Sequence, residues 1–312
     1  MRVLFWGTPE FATPPLRALL GEGFDVVGVV TQPDKPVGRS RSTVQAPPVK
    51  EIALADGIPV LQPERPRGER FLADLRALEP DISVVVAYGH LLPQEVIDLP
   101  PMGTINIHAS LLPALRGAGP IQAAIREGHT RTGVSIMRMV KALDAGPVIH
   151  AVETPILDDE TYGELALRLS ELGALALVEA LALLSMGEAP EQPQDDAAAT
   201  YAPKVDRETT RLDWTTTGFD VAGAIRAYDP RPGAWTLHRG SPVKLFGARL
   251  AAPEGPAEPG TVQSIDLTGM IVACGAGAVR VLNIQPAGKK RLAPADWARG
   301  RGIAVGDRFD AE

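Results

Sequence analysis

The feature that most constrains the fold is an alternation, through the first half of the 312-residue chain, of short apolar runs with helix-like stretches. Apolar runs at residues 3–6, 26–30, 58–61, 82–87 and 104–107 have the length of buried strands. Residues 14–20, 49–55, 71–78 and 121–127, lying between or after them, read as helices. Strands separated by helices imply right-handed crossovers, and hence an α/β fold: a doubly wound, mostly parallel, Rossmann-like sheet with helices on both faces. In such sheets ligands bind at the carboxyl ends of the strands. Residues 133–139 and 148–154 read as two further strands, and residues 161–186 as a long Ala/Leu-rich amphipathic helix.

The pattern then changes. Residues 187–199 are acidic, rich in Pro, Gln and Ala and without periodicity, which marks an exposed connection. After Arg211-Leu212-Asp213-Trp214 and a short helix at 221–227, five short strands are expected at 234–238, 243–246, 260–264, 270–274 and 278–284. Five short strands with Gly/Pro turns predict a smaller C-terminal β-barrel of the oligonucleotide-binding (OB-like) kind. The expected organisation is a domain at 1–186, a linker at 187–204 and a second domain at 205–312. Net charge is −7, yet residues 205–312 hold 14 Lys/Arg against 12 Asp/Glu, so a polyanion partner stays compatible with the second domain. Cys274 is the one cysteine, which excludes an internal disulfide and a multi-cysteine metal site; no metal is expected. Residues 1–7 are too short an apolar run for a signal peptide, and no stretch is read as approaching the roughly 18–20 apolar residues of a membrane span. A cytoplasmic protein without a membrane partner is therefore expected, and since nothing demands a dimer, a monomer.

Asn106-Ile107-His108 carries the chemistry. On a strand, Asn106 and His108 leave the same face. An amide and an imidazole there could hold and polarise a carbonyl, and a carboxylate, Asp144 in Ala142-Leu143-Asp144-Ala145-Gly146, could orient the imidazole and manage protons. That is acyl transfer without a Ser or Cys nucleophile. Singly, each residue has a plainer reading: His108 as a satisfied structural histidine, Asn106 as a loop brace, Asp144 as a turn cap. Together they gain weight, because two polar side chains on one strand face need a purpose. The Gly/Pro-rich stretch that follows, Ser110-Leu111-Leu112-Pro113 and Arg116 to Gln122, has a backbone that could line a planar ligand. The turn Gly7-Thr8-Pro9 sits where a dinucleotide fingerprint would stand, but Gly-x-Gly-x-x-Gly is absent, so no nicotinamide or flavin is expected.

These residues resemble the methionyl-tRNA formyltransferase family over nearly the whole chain. The resemblance includes Gly7-Thr8-Pro9-Glu10-Phe11-Ala12, Thr31-Gln32-Pro33-Asp34-Lys35-Pro36, Val84-Val85-Val86-Ala87-Tyr88-Gly89, residues 106–122 and Leu143-Asp144-Ala145-Gly146. It continues through Thr200-Tyr201-Ala202-Pro203-Lys204, Ile225-Arg226-Ala227 and Gln285-Pro286-Ala287-Gly288-Lys289-Lys290-Arg291. It implies 10-formyltetrahydrofolate as formyl donor and the free amine of methionyl-initiator tRNA as acceptor. It implies Asn106, His108 and Asp144 as the catalytic residues. Ser110, Leu111, Leu112 and Pro113 match the folate-binding segment, with Tyr88 in a loop, 87–92, that holds the pterin through backbone groups. Lys35, Arg39 and Arg41, in a Pro-rich basic loop, would meet the tRNA acceptor end, and Lys204, Lys289 and Lys290 would add phosphate contacts. This chain departs from the family at Ala114-Leu115, where Arg-Trp is common, at Gly119 for Ala and at Ala109 for Gly; no trio member is lost.

The central block alone is shared with sugar-nucleotide and glycinamide ribonucleotide formyltransferases and with formyltetrahydrofolate hydrolases. The trio therefore does not choose the acceptor; the basic loop and the C-terminal module do. A reading from another class, a non-catalytic RNA-binding protein, would use the barrel alone.

Overall fold

A computed structural model describes residues 1–37 and 43–310. The chain forms two compact units, neither continuous in sequence. The first comprises residues 1–117, 132–154 and 166–201; the second comprises 118–131, 155–165 and residues from 202 onward.

The first unit is built on a seven-stranded sheet in the order Val148–Pro155, Arg131–Arg138, Thr104–His108, Ile82–Val86, Arg2–Gly7, Asp25–Val30, Val60–Leu61. Arg2–Gly7 lies in the interior, parallel to Asp25–Val30 on one side and Ile82–Val86 on the other, with Trp6 beside Val30 and Val85. Its apolar run is buried on both faces, which is why it reads as continuous rather than alternating. Thr104–His108 is parallel to Ile82–Val86 and antiparallel to Arg131–Arg138, with His108 opposite Ser135.

The chain steps outward from Arg2–Gly7 to Val60–Leu61, then returns to Ile82–Val86 on the other side. That reversal opens a crevice at the carboxyl ends of Arg2–Gly7 and Ile82–Val86. The loops starting at Thr8, Ala87 and Ala109 all leave from this edge. Ile82–Val86 ends one residue sooner than expected because Ala87 takes φ 48°, a left-handed conformation that breaks the ladder. The Pro-rich stretch read as a loop contains a short antiparallel pair, Lys35–Val37 with Thr43–Gln45.

Helices Thr13–Gly21, Pro48–Ala55 and Glu69–Ala77 bury Leu16 and Leu19, Val49 and Ala53, and Phe71, Leu72 and Leu75, spacings of three and four that define one helical face. Trp6 stands edge-on to Phe71 at 6.0 Å and to Tyr88 at 5.2 Å in this core. Each such side chain contributes about 1.5–3 kcal/mol by burial. The helix Tyr162–Met186 corrects one expectation: by length and composition it is apolar enough to cross a membrane, with mean hydropathy 1.7 over its most apolar window. Half of that window is buried within the protein, Ser170 donates to the Phe11 carbonyl, and Glu179 pairs with His150 at 2.6 Å.

The second unit carries a five-stranded sheet in the order Ala234–His238, Ser241–Ala251, Ala278–Pro286, Gly269–Ala273, Val262–Asp266, antiparallel at every pairing. Its two end strands are joined by the C-terminal stretch. The Val262 N–H donates to the Asp307 carbonyl, Phe309 N–H to Gly260, and Asp310 N–H to Leu237, at 2.8, 2.9 and 2.8 Å. The C-terminal stretch thereby bridges the two ends of the barrel, whose end strands do not pair with each other directly. Inside it, Trp214 stacks on Phe309 at 5.4 Å and donates its indole N–H to Thr236. The helix Gly218–Ala227 starts with a capping box between Thr217 and Asp220.

Candidate active site

Thr104–His108 places Asn106 half-buried and His108 buried, 5 % exposed, two residues apart on one face. The Asn106 amide makes no side-chain hydrogen bond among the described residues. His108 Nε2 lies 2.9 Å from the Leu115 carbonyl. A carbonyl only accepts, so Nε2 carries a proton and Nδ1 is the edge left for chemistry. Nδ1 faces Asp144 Oδ2 at 3.7 Å. Burial pushes the His108 pKa below its ordinary value, while the Asp144 charge and the Leu115 carbonyl act in the opposite direction and only partly offset it.

Asp144 is held from several sides. Its φ of 51° is left-handed, uncommon for a residue with a side chain. Oδ2 accepts the Gly117 N–H at 2.8 Å. The Asp144 and Gly146 carbonyls accept from Gln194 Nε2 at 2.8 and 2.7 Å. Position 146 admits only glycine, because a Cβ there would lie 1.9 Å from the Arg138 carbonyl oxygen. Gln194 Oε1 in turn accepts from Arg116 Nε and Nη2 at 3.0 and 2.9 Å, and Arg116, itself buried, also pairs with Asp196 at 2.7 Å. The stretch read as an exposed connection is largely exposed, yet it supplies these braces.

The segment Ser110 to Pro113 is pinned by a residue the sequence reading passed over. Ser135 Oγ donates to the Ser110 carbonyl at 2.7 Å and accepts the Leu112 N–H at 3.1 Å. It stands opposite His108 in the adjacent strand, a register that only the folded chain shows. Ser110 is 1 % exposed and spends its hydroxyl on the Ala114 carbonyl, so it shapes the segment from inside, while Leu111, Leu112 and Pro113 are half-buried. The Leu112–Pro113 peptide is cis. Tyr88 is also 1 % exposed: its ring belongs to the Trp6 core and burial pushes its hydroxyl up to about 12. Its carbonyl accepts from Thr8 Oγ1 and Gln32 Nε2. At position 88 the side chain is therefore withdrawn into the core. Gly89, at φ 93°, leaves room for the Gln32 amide, which would lie 2.7 Å from a Cβ.

Of the basic positions, Lys35 is exposed on the first unit, and Lys204, Lys289 and Lys290 are exposed on the second. Arg39 and Arg41 lie outside the described residues. Two neighbouring cations are engaged internally: Lys50 pairs with Asp34 at 2.8 Å, and Arg291 pairs with Asp229 at 3.0 Å over the Phe246 ring. The sequence reading missed Trp235, half-buried beneath the guanidinium groups of Arg207 and Arg211 at 5.1 and 5.5 Å. Lys244 is its cross-strand partner, and Gln285 is the partner of Lys244, so the three residues share one face of the sheet. Alternation along 234–238 would have placed Trp235 outward.

The formyl transferase family model matches residues 1–181, and that of the formyl transferase C-terminal domain matches residues 204–302. The methionyl-tRNA formyltransferase of Aromatoleum aromaticum is 47 % identical over 311 residues, covering 100 % of this chain and 98 % of its own. That of Bacillus subtilis is 45 % identical over 307 residues, covering 98 % and 96 %. Among solved structures, HypX from Aquifex aeolicus in complex with tetrahydrofolic acid shares the fold with a TM-score of 0.68 at 20 % identity; the match takes in 100 % of this chain and 51 % of HypX.

Proposed function

The chain belongs to the methionyl-tRNA formyltransferase family, and we infer that it moves the formyl group of 10-formyltetrahydrofolate to the free amine of methionyl-initiator tRNA through Asn106, His108 and Asp144. The product serves translation initiation. The observation that carries the residue assignment is the His108–Asp144 pair standing beside an Asn106 amide without a protein partner among the described residues, at the carboxyl edge of the sheet.

The site suits a folate donor. Gly89 keeps the 87–92 backbone open beside Gln32, and the half-buried Leu111, Leu112 and Pro113 offer an apolar wall. Bound there, the folate supplies an activated formyl carbon. Asn106 donates an N–H to the formyl oxygen as negative charge develops on it. Leu115 holds the Nε2–H of His108, so Nδ1 can donate to the same oxygen only when the ring is an imidazolium, the form that the Asp144 charge favours. The amine attacks the formyl carbon, the bond from that carbon to the folate nitrogen breaks, and Asp144, keeping Oδ2 on Gly117 N–H, passes the proton released by the amine through its other oxygen to the departing folate nitrogen. Lys35, Arg39, Arg41, Lys204, Lys289 and Lys290 meet tRNA phosphates, and Trp235 with Arg207 and Arg211 offers a stacking and cationic surface of the kind that suits unpaired nucleotides. The enzyme acts in the cytoplasm as a monomer.

Consumption of the donor, followed with and without charged initiator tRNA, tests the whole reading. Turnover that requires the tRNA is expected. Turnover with a sugar amine or with water alone would replace it with another formyl-folate enzyme.

A further inference from the structure

We propose that Gln194 is a positioning residue for Asp144, an inference that rests on the catalytic reading of Asp144 given above. The amide uses its full capacity. Its nitrogen donates to the Asp144 and Gly146 carbonyls at 2.8 and 2.7 Å, and its oxygen accepts both Nε and Nη2 of Arg116 at 3.0 and 2.9 Å. These bonds reach Asp144 from two directions. One holds the backbone of a residue kept at a left-handed φ of 51°. The other holds Arg116, whose neighbour Gly117 gives the N–H that fixes the Asp144 carboxylate at 2.8 Å.

The segment carrying Gln194 is anchored on both sides. Gln192 and Val148 exchange two backbone bonds of 2.8 Å. Thr200 accepts from Leu115 N–H on its hydroxyl at 2.8 Å and from Arg116 N–H on its carbonyl at 2.9 Å. The amide is thus presented from a fixed backbone, and a displacement of about 1 Å at a catalytic group is enough to cost on the order of 100-fold in rate.

Two substitutions separate positioning from simple bracing. Gln194→Ala removes every bond. Gln194→Glu keeps an acceptor for Arg116 but loses both donors and aims a carboxylate at two carbonyls. Positioning predicts that both variants lower kcat by about 10-fold or more while KM for donor and for charged tRNA stays within about twofold. It also predicts that the Gly117 amide exchanges faster with solvent in Gln194→Glu, with the Thr104–His108 ladder still protected. Wild-type kcat in Gln194→Glu would show that the residue serves only Arg116 and would overturn the proposal, as would a loss confined to KM. Should Gln194→Ala fail to fold, Gln194→Glu, which retains the Arg116 bonds, decides alone. Asp144→Ala measured alongside distinguishes the two failures. If it retains turnover, the catalytic reading of Asp144 falls; if it is inactive while both Gln194 variants run at wild-type kcat, only the positioning role falls.

Discussion

His108 shows how one buried side chain links stability to chemistry. Its folded pKa lies below the ordinary 6.5, mainly because burial disfavours the charged ring. On acidification the unfolded chain therefore takes up this proton first. The stability contributed by the neutral ring is fully present above about pH 6.5 and is lost as pH falls from there toward the lowered folded value. His108→Gln, whose amide can still reach the Leu115 carbonyl, should melt with a flatter pH dependence than the wild type below about pH 6.5 and run parallel to it above. Parallel curves throughout would mean that His108 titrates alike in both states. For the chemistry, His108→Ala or Asp144→Ala should reduce formyl transfer by about 100-fold or more with the fold intact by circular dichroism. Near-normal turnover in either variant removes it from the mechanism.

At the scale of the element, the Ser110 to Pro113 segment depends on Ser135 in the adjacent strand. Ser135→Ala leaves the Ser110 carbonyl and the Leu112 N–H without that partner, which should cost about 1–3 kcal/mol in urea denaturation and weaken donor binding. An unchanged midpoint would show that other groups replace the hydroxyl. The strand under Asn106 and His108 was legible in the sequence because a buried run with a polar residue every second position has few other solutions. Ser135 was not, since a serine inside an apolar strand announces no direction. The burial of the Tyr88 ring was not legible either: the turn at Ala87 sends it into the Trp6 core, which an aromatic residue beside Gly89 does not announce. Gln194 lies in a polar stretch without periodicity, where only the folded chain shows which amide meets Asp144. The closing stretch of the barrel, Gly306-Asp307-Arg308-Phe309-Asp310, is too short to alternate and pairs only through the third dimension.

At the scale of the whole molecule, the positive side chains proposed to meet the acceptor belong to both units of a chain whose net charge is −7. Phosphate contacts of this kind are additive and salt-sensitive. Arg39→Ala should raise KM for methionyl-tRNA more than it weakens folate binding, and should reduce the slope of log affinity against log salt by about one. Equal effects on both substrates would remove the loop from tRNA binding. The five-stranded C-terminal sheet was legible from short runs and Gly/Pro turns, and the family resemblance named the substrate. The internal engagement of Lys50 and Arg291 was not legible, because a cation paired with Asp34 or Asp229 reads in sequence like any other.

Trp235 also makes the protein its own optical reporter. Trp6, Trp214 and Trp297 are buried, whereas Trp235 lies half-buried beneath two guanidinium groups. Iodide, an anionic collisional quencher, is drawn to that ring and shut out from the other three indoles. The iodide-sensitive part of the emission therefore counts unoccupied Trp235. As charged tRNA is titrated in, that part should fall in step with bound tRNA, reading occupancy of the surface without a label; quenching that ignores the tRNA would place its path elsewhere.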